Sequence, residues 1–397
     1  MKKNFLVLFI LTVLTALVCG CFSEEKVVTA DMRGGEIKTD SKADSVAKPP
    51  QDKKRAEVSE PLSDSLEEQL RAMTLEEKVG QMIMVGIQGT ELDENVRRLL
   101  NKIHFGGVIL YDRNMQSLEQ TKKLIDDIQA FANQKVPLFV AIDEEGGTIV
   151  RGQDFLKPAP SQESIGQSGD PEKARDWAEY NAAILRSIGV NLNFAPVADV
   201  GSQDTRSFGT EAQTVATFVD AAAKGYEAKN FLYTLKHCPG IGKSKIDPHQ
   251  EVSVIEDSWE ILNAEDILPF AKIIREHDNT KFMVMIGHLK YDALDPVNSA
   301  SLSPAVMTKL LRDELGFSGV VITDDLNMGA IKNNVDLEAV SVQTVLAGSD
   351  IALLCHVYDD QQTVHKSILA AVKRGEISEQ RIDESVRRIL RMKAHLQ

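Results

Sequence analysis

Between residues 62 and 397, eight short apolar, β-rich runs alternate with segments of helical pattern, and this alternation limits the chain to very few folds. The runs are 81–87, 107–110, 138–142, 191–197, 231–235, 282–286, 319–323 and 351–354. The segments between them carry helix signals. Thr74-Leu75-Glu76-Glu77 is a capping box. Ser303-Pro304 opens a helix with an N-cap and a first-turn proline, and Gly316 closes it. Near the end, Ile382, Val386, Ile389 and Leu390 share one helical face. Strands that alternate with helices form a parallel sheet. Eight such units in roughly 330 residues predict an α/β fold, a (β/α)8 TIM barrel in a single catalytic domain. A doubly wound open sheet is the competing architecture. No Gly-x-Gly-x-x-Gly follows an early run, which weakens its dinucleotide-binding form.

The first sixty residues read differently. Lys2 and Lys3 precede an apolar run over 5–18, shorter than the roughly 20 residues of a membrane span. A charged start and an apolar middle make a signal peptide. The run ends in Val18-Cys19-Gly20-Cys21, which resembles the bacterial lipobox. The expectation is a lipoprotein signal over 1–20, with Cys21 as the lipidated first mature residue. The alternative is an ordinary cleaved signal with incidental cysteines. Residues 23–61 are dominated by Lys, Glu, Asp, Ser, Ala and Pro and hold no aromatic residue. Such a stretch cannot bury enough apolar surface to offset chain entropy. It predicts a disordered tether over 21–61, followed by the barrel over 62–397.

Composition removes several classes. The apolar fraction of 43% and the charged fraction of 26% are those of a globular protein, not a collagen-like, wholly disordered or polytopic membrane chain. A formal charge of −14 with no basic block disfavours nucleic acid and charge-driven adhesion to anionic membranes. Four cysteines are too few for a disulfide scaffold, and Cys238 and Cys355 are expected to be free.

In a barrel, function sits at the C-terminal ends of the strands. Six runs end in ionisable groups: Asp143-Glu144-Glu145, Asp199, Lys236-His237, His288, Asp324-Asp325 and His356. They predict a polar mouth. No Cys/His cluster marks a zinc site, and no H-E-x-x-H, P-loop or G-x-S-x-G is present. Many hydrogen-bonding groups around carboxylates suit a polyhydroxylated substrate, and two acid–base groups suit glycoside hydrolysis. Phosphosugar and aldol chemistry use similar mouths.

At these residues the sequence resembles glycoside hydrolase family 3, most of all its single-domain β-N-acetylglucosaminidases. The resemblance runs from about residue 73 to 396. Met73-Thr-Leu-Glu-Glu-Lys-Val-Gly-Gln-Met82 is similar to the family's opening segment, and Ile142-Asp-Glu-Glu-Gly-Gly147 with Val150-Arg151 to its sugar-binding segment. Asn193-Phe-Ala-Pro-Val-Ala-Asp199 and Arg206-Ser-Phe-Gly209 follow in order. Lys236-His-Cys-Pro-Gly240 with Asp247-Pro-His249 resembles the most diagnostic loop. Ala300-Ser-Leu-Ser-Pro304 and Thr323-Asp-Asp-Leu-Asn-Met328 resemble the segments around the nucleophile.

The resemblance implies a retaining exo-β-N-acetylglucosaminidase acting on peptidoglycan-derived or related glycans. Asp324 would be the nucleophile, with Asp325 left to cap the next helix. His249 would be the general acid/base, oriented by Asp247. Asp143, Arg151, Arg206, Lys236 and His237 would bind the sugar; their bland reading is a salt-bridge network at the mouth. No metal or cofactor is implied. A monomer is expected, held to a membrane by its N-terminal lipid alone, with the catalytic domain outside the cytoplasmic membrane. The sequence departs from the family where Pro-Gly-His-Gly-Asp-Thr becomes Pro239-Gly240-Ile241-Gly242-Lys243-Ser244. It departs again in a short loop before Arg206 and in Pro248 between the dyad members. The alternatives are a β-N-acetylglucosaminide phosphorylase, a β-glucosidase and a non-catalytic sugar-binding lipoprotein. The β-glucosidase reading is disfavoured because such members carry a further C-terminal domain, for which no room is expected before Gln397.

Overall fold

Each of the eight apolar runs supplies one strand in the computed structural model, which describes residues 63–132, 136–201, 204–244, 253–328 and 336–396. The strands are β1 (Ile83–Gly86), β2 (Gly107–Leu110), β3 (Phe139–Ile142), β4 (Leu192–Asn193), β5 (Leu232–Cys238), β6 (Phe282–Ile286), β7 (Val320–Asp325) and β8 (Ile351–Leu354). All pair in parallel with their sequence neighbours. β8 returns to β1, with Ile83 opposite Ala352 and Val85 opposite Leu354. The sheet is therefore closed, and the open doubly wound alternative is excluded.

Helices follow the strands as crossovers: α1 (Glu94–Ile103), α2 (Leu118–Ala132), α3 (Glu172–Ser187), α4 (Ala212–Ala228), α5 (Leu268–Glu276), α6 (Ala305–Glu314), α7 (Leu337–Ala347) and α8 (Tyr358–Lys373). The signals read from sequence act as expected. Thr74 Oγ1 accepts the Glu77 N–H, and Glu77 returns a carboxylate to the Thr74 N–H. Ser303 Oγ accepts from Val306 N at the start of α6, which winds wide enough for Leu315 N to reach Leu310 O. In the closing helix Glu379–Lys393, the face of Ile382, Val386, Ile389 and Leu390 is buried.

Several strands start or end away from their sequence runs, β1 because the preceding helix extends through Gln81, and three differences bear on the mouth. β4 is only two residues long, although Phe194 N still donates to the Ile142 carbonyl at 2.8 Å; Pro196 has no N–H to give the ladder, and pairing resumes at Val197, opposite Lys236. β5 and β7 run further than expected, through Lys236-His237 and Asp324 respectively. Both carry a bulge there. Between Leu235 and Cys238, β5 advances three residues while β6 advances from Val284 to Ile286. Between Ile322 and Asp325, β7 advances three while β8 advances from Ile351 to Leu353. A bulge breaks the in–out alternation of a strand and re-aims a side chain. Here the two bulges fall on the residues that face the mouth.

At the opposite end, the buried Asp350 carboxylate receives Arg312, Arg388 and Ser385 at 2.6, 2.9 and 2.6 Å, tying the closing helix to the base of β7 and β8. Gly86 lets β1 lie against β8: a Cβ there would stand 2.0 Å from the Cys355 carbonyl oxygen.

Candidate active site

The loops beyond the strand ends enclose a cavity of about 740 Å³. Asp143, Glu145, Arg151, Asp199, Arg206, Lys236, His237, His288, Asp324, Asp325 and His356 all line it.

Its floor is a charge lattice. The Lys236 ammonium lies 2.6 Å from both Asp143 Oδ1 and Glu145 Oε1. Arg206 grips the same Glu145 with two bonds, Nε to Oε2 at 2.8 Å and Nη2 to Oε1 at 2.9 Å. Burial opposes the charge on Glu145, but Lys236 and Arg206 outweigh it and hold the carboxyl at about 2. Burial likewise works against the Lys236 ammonium, yet Asp143 and Glu145 keep it above the usual lysine range. Arg151 approaches Asp143 at 3.8 Å, and its backbone N–H donates to Glu144 at 2.7 Å. Glu144 thus points away from Lys236, and its burial raises its carboxyl to about 7.

Two histidines flank the nucleophile candidate, and their partners fix their tautomers. His237 Nδ1 faces Asp199 Oδ2 at 2.9 Å and so carries its proton there, while Nε2 faces Arg206 at 3.4 Å. His288 Nε2 donates to the Asp325 carbonyl at 3.0 Å, so Nδ1 accepts from Ser301 Oγ at 2.7 Å. Asp324 stands on the β7 bulge with Oδ1 accepting its neighbour's N–H at 2.8 Å. Burial alone would raise its carboxyl; His237, His288 and that N–H together hold it below the usual carboxylate range. The result is an ionised carboxylate in a cavity lined with hydrogen-bond donors. The family model for the glycosyl hydrolase family 3 N-terminal domain matches residues 74–392.

The chain belongs to glycosyl hydrolase family 3. It is 31% identical over 338 residues to beta-hexosaminidase A of Pseudoalteromonas piscicida, covering 77% of this chain but only 56% of that protein. It is 33% identical over 285 residues to the beta-hexosaminidase of Stenotrophomonas maltophilia strain R551-3, covering 69% of this chain and 83% of the relative. The solved glycoside hydrolase family 3 beta-N-acetylglucosaminidase of Paenibacillus sp. str. FPU-7 superposes with a TM-score of 0.79 at 36% identity. That match covers 82% of this chain and 63% of the other.

Six of the site residues expected from sequence, Asp143, Arg151, Arg206, Lys236, His237 and Asp324, meet around this one cavity. Asp247, His249 and Cys21 lie outside the described residues. Asp325 Oδ1 accepts from Asn327 N and Cys355 N, both at 3.1 Å, and the residues further along that it is expected to cap, 329–335, lie outside the described residues. Asp325 ties β7 to β8 because the strand itself continues through it. Glu145 and Asp199 also line the cavity, holding Lys236 and Arg206 and holding His237 respectively, and are not among the expected site residues although both sit in the quoted motifs. Side-chain alternation after β3 separates Glu145 from Glu144, and only the fold places Asp199 against His237. Of the departures, Ile241 and Ser244 line the cavity, whereas Lys243 turns to Asp257, Glu265 and Asp266 at 2.8, 2.7 and 2.8 Å. Cys238 and Cys355 are free and buried. Among the described residues, no group of three or more His, Cys, Asp and Glu could hold a metal ion.

Proposed function

We propose that the protein is a retaining exo-β-N-acetylglucosaminidase that removes terminal N-acetylglucosamine from peptidoglycan-derived or related glycans. The observation that carries this reading is Asp324, ionised and half-buried on the β7 bulge, beside a lattice of paired cations and carboxylates suited to sugar hydroxyls. The printed names of the relatives, beta-hexosaminidase and beta-N-acetylglucosaminidase, support it. Asp324 attacks the anomeric carbon and the leaving oxygen takes a proton from His249, oriented by Asp247. Water, activated by the same histidine, then releases the sugar. Asp143 accepts from sugar hydroxyls, while Lys236, Arg206 and Arg151 donate to them. We also propose that residues 1–20 are a signal, that Cys21 is lipidated, and that the tether over 21–61 holds the barrel outside the cytoplasmic membrane.

The test is release of aryl alcohol from an aryl β-N-acetylglucosaminide by the full chain in phosphate-free buffer. Turnover that vanishes in Asp324→Asn supports the reading. Turnover that requires phosphate, or occurs only on the β-glucoside, overturns it. Incorporation of a clickable fatty acid, lost in Cys21→Ala, tests the anchor.

A further inference from the structure

A second polar group lines the same cavity, at the ends of β2, β7 and β8, and the chemistry above gives it no task. His356, just beyond β8, leaves about half its side chain exposed and presents it to the cavity that holds Asp324. Its orientation is nonetheless fixed. Nδ1 lies 3.4 Å from Arg113 Nη1. A guanidinium can only donate, so Nδ1 holds the lone pair and Nε2 carries the hydrogen. Arg113 is itself pinned, donating from Nε to the Ile87 carbonyl at 3.0 Å and from Nη2 to the Cys355 carbonyl at 2.7 Å. Tyr111 supports both groups, with Arg113 4.4 Å over its ring and the His356 ring 5.6 Å away at a tilt of 34°. Burial and the Arg113 charge hold the imidazole below its usual range, so it is a neutral donor at neutral pH.

The Nε2–H faces Asp325 Oδ2 at 3.6 Å. That is too long for a direct hydrogen bond, and an oxygen set to one side of the line between them can lie about 2.8 Å from both. Asp325 Oδ1 is committed to two backbone N–H groups, whereas Oδ2 is turned toward His356. A donor and an acceptor this close, opening on one cavity, ask for a ligand atom that both accepts and donates. A hydroxyl does so. An anion would meet the Asp325 charge, and an apolar group would leave both partners unpaired.

We propose that His356 and Asp325 form a hydroxyl-binding subsite of the cavity, taking one hydroxyl of the sugar substrate between Nε2–H and Oδ2. The proposal rests on the glycosidase reading and adds a recognition contact to it.

Two substitutions at position 356 separate the N–H from the ring. His356→Phe keeps an aromatic contact with Tyr111 and loses the donor. His356→Gln loses the ring and keeps an N–H at similar reach. With an aryl β-N-acetylglucosaminide and with the N-acetylglucosamine disaccharide, His356→Phe raises KM about tenfold, the value of one hydrogen bond, with a smaller change in kcat. His356→Gln stays within about threefold of the wild type. A KM rise on both substrates places the hydroxyl on the terminal sugar, and a rise on the disaccharide alone places it on the leaving sugar. An unchanged KM in His356→Phe, or equal impairment in both variants, overturns the proposal. Failure of the glycosidase reading shows separately, as a wild type that turns nothing over. Calorimetric Kd for N-acetylglucosamine then replaces KM across the same variants, and no binding by the wild type overturns the subsite as well.

Discussion

Asp199 holds His237 by two bonds at once: Oδ2 takes the imidazole Nδ1–H at 2.9 Å, and Oδ1 takes the backbone N–H at 3.0 Å. The same Oδ1 receives the Ile241 N–H at 2.9 Å, so one buried carboxylate sets both the ring beside Asp324 and the turn that follows. In Asp199→Asn an amide NH2 would confront Nδ1 and drive the imidazole to its other tautomer or another rotamer. Loss of a buried hydrogen bond to a charged group costs about 1.5–3 kcal/mol. The expected outcome is a fall in kcat/KM of about 10- to 100-fold together with a lower melting temperature from the same lost bond. Steady-state kinetics beside a thermal melt checks it.

The Glu145 carboxylate, almost fully buried, is held by Arg206 and Lys236. Glu145→Gln leaves two buried cations with Asp143 as their main counter-charge. Breaking such a pair from one side costs about 3–5 kcal/mol, which a urea titration at pH 7 measures. Acid dependence follows from the same pairing. The folded carboxyl titrates at about 2 against 4.5 for the free group. Its contribution is therefore complete above pH 4.5 and is lost as pH falls toward 2. The wild type should lose stability more steeply across that window than Glu145→Gln.

The barrel is legible in the sequence because a largely apolar run marks each strand and several helices carry local start and stop signals. Thr74, Ser303 and the closing-helix face declare themselves locally. The site is legible only in part, because it depends on breaks in regularity. Alternation along β7 does not reveal the bulge that turns Asp324 into the cavity, nor does the Lys236-His237 dipeptide reveal the one in β5. Adjacent carboxylates at 144 and 145 look equivalent until β3 sends one to Arg151 N and the other to Lys236. His288 and His356 read alike as barrel-end histidines. Contacts from distant segments distinguish them: Ser301 and the Asp325 carbonyl for one, Arg113 and the Asp325 carboxylate for the other.

Lys243, a departure from the family pattern, has a structural task. Its ammonium neutralises Asp257, Glu265 and Asp266, and Asp266 is buried with a carboxyl pushed up to about 6 by that burial. Lys243→Met leaves three carboxylates facing one another, so stability should fall most at alkaline pH. Protonating Asp266 relieves the repulsion. A group whose folded pKa lies above its unfolded value stabilises the fold when protonated, so the deficit should shrink as pH drops through about 6 toward 4. Melting temperatures of both proteins at pH 8 and pH 5 decide this. A deficit equal at both values would mean that the lysine acts through packing rather than charge.

Lys393 presents the reverse case. It is fully buried, donates to Gln81 Oε1 at 2.8 Å and the Gly106 carbonyl at 2.7 Å, and lies 4.8 Å over the Phe139 ring. Neither hydrogen-bond acceptor is charged, and burial brings the ammonium down to about 7. The unfolded chain binds this proton up to 10.5, whereas the folded chain releases it near 7. Stability should therefore rise with pH between those values, since there the unfolded state holds more protons. Lys393→Met keeps the packing volume and removes the titration. Its stability should stay level from pH 7 to pH 10 where the wild type climbs, a difference read by urea titrations at the two ends of the range. Parallel slopes would show that Lys393 keeps its proton in the folded barrel, stabilised by the Phe139 ring and the two oxygens.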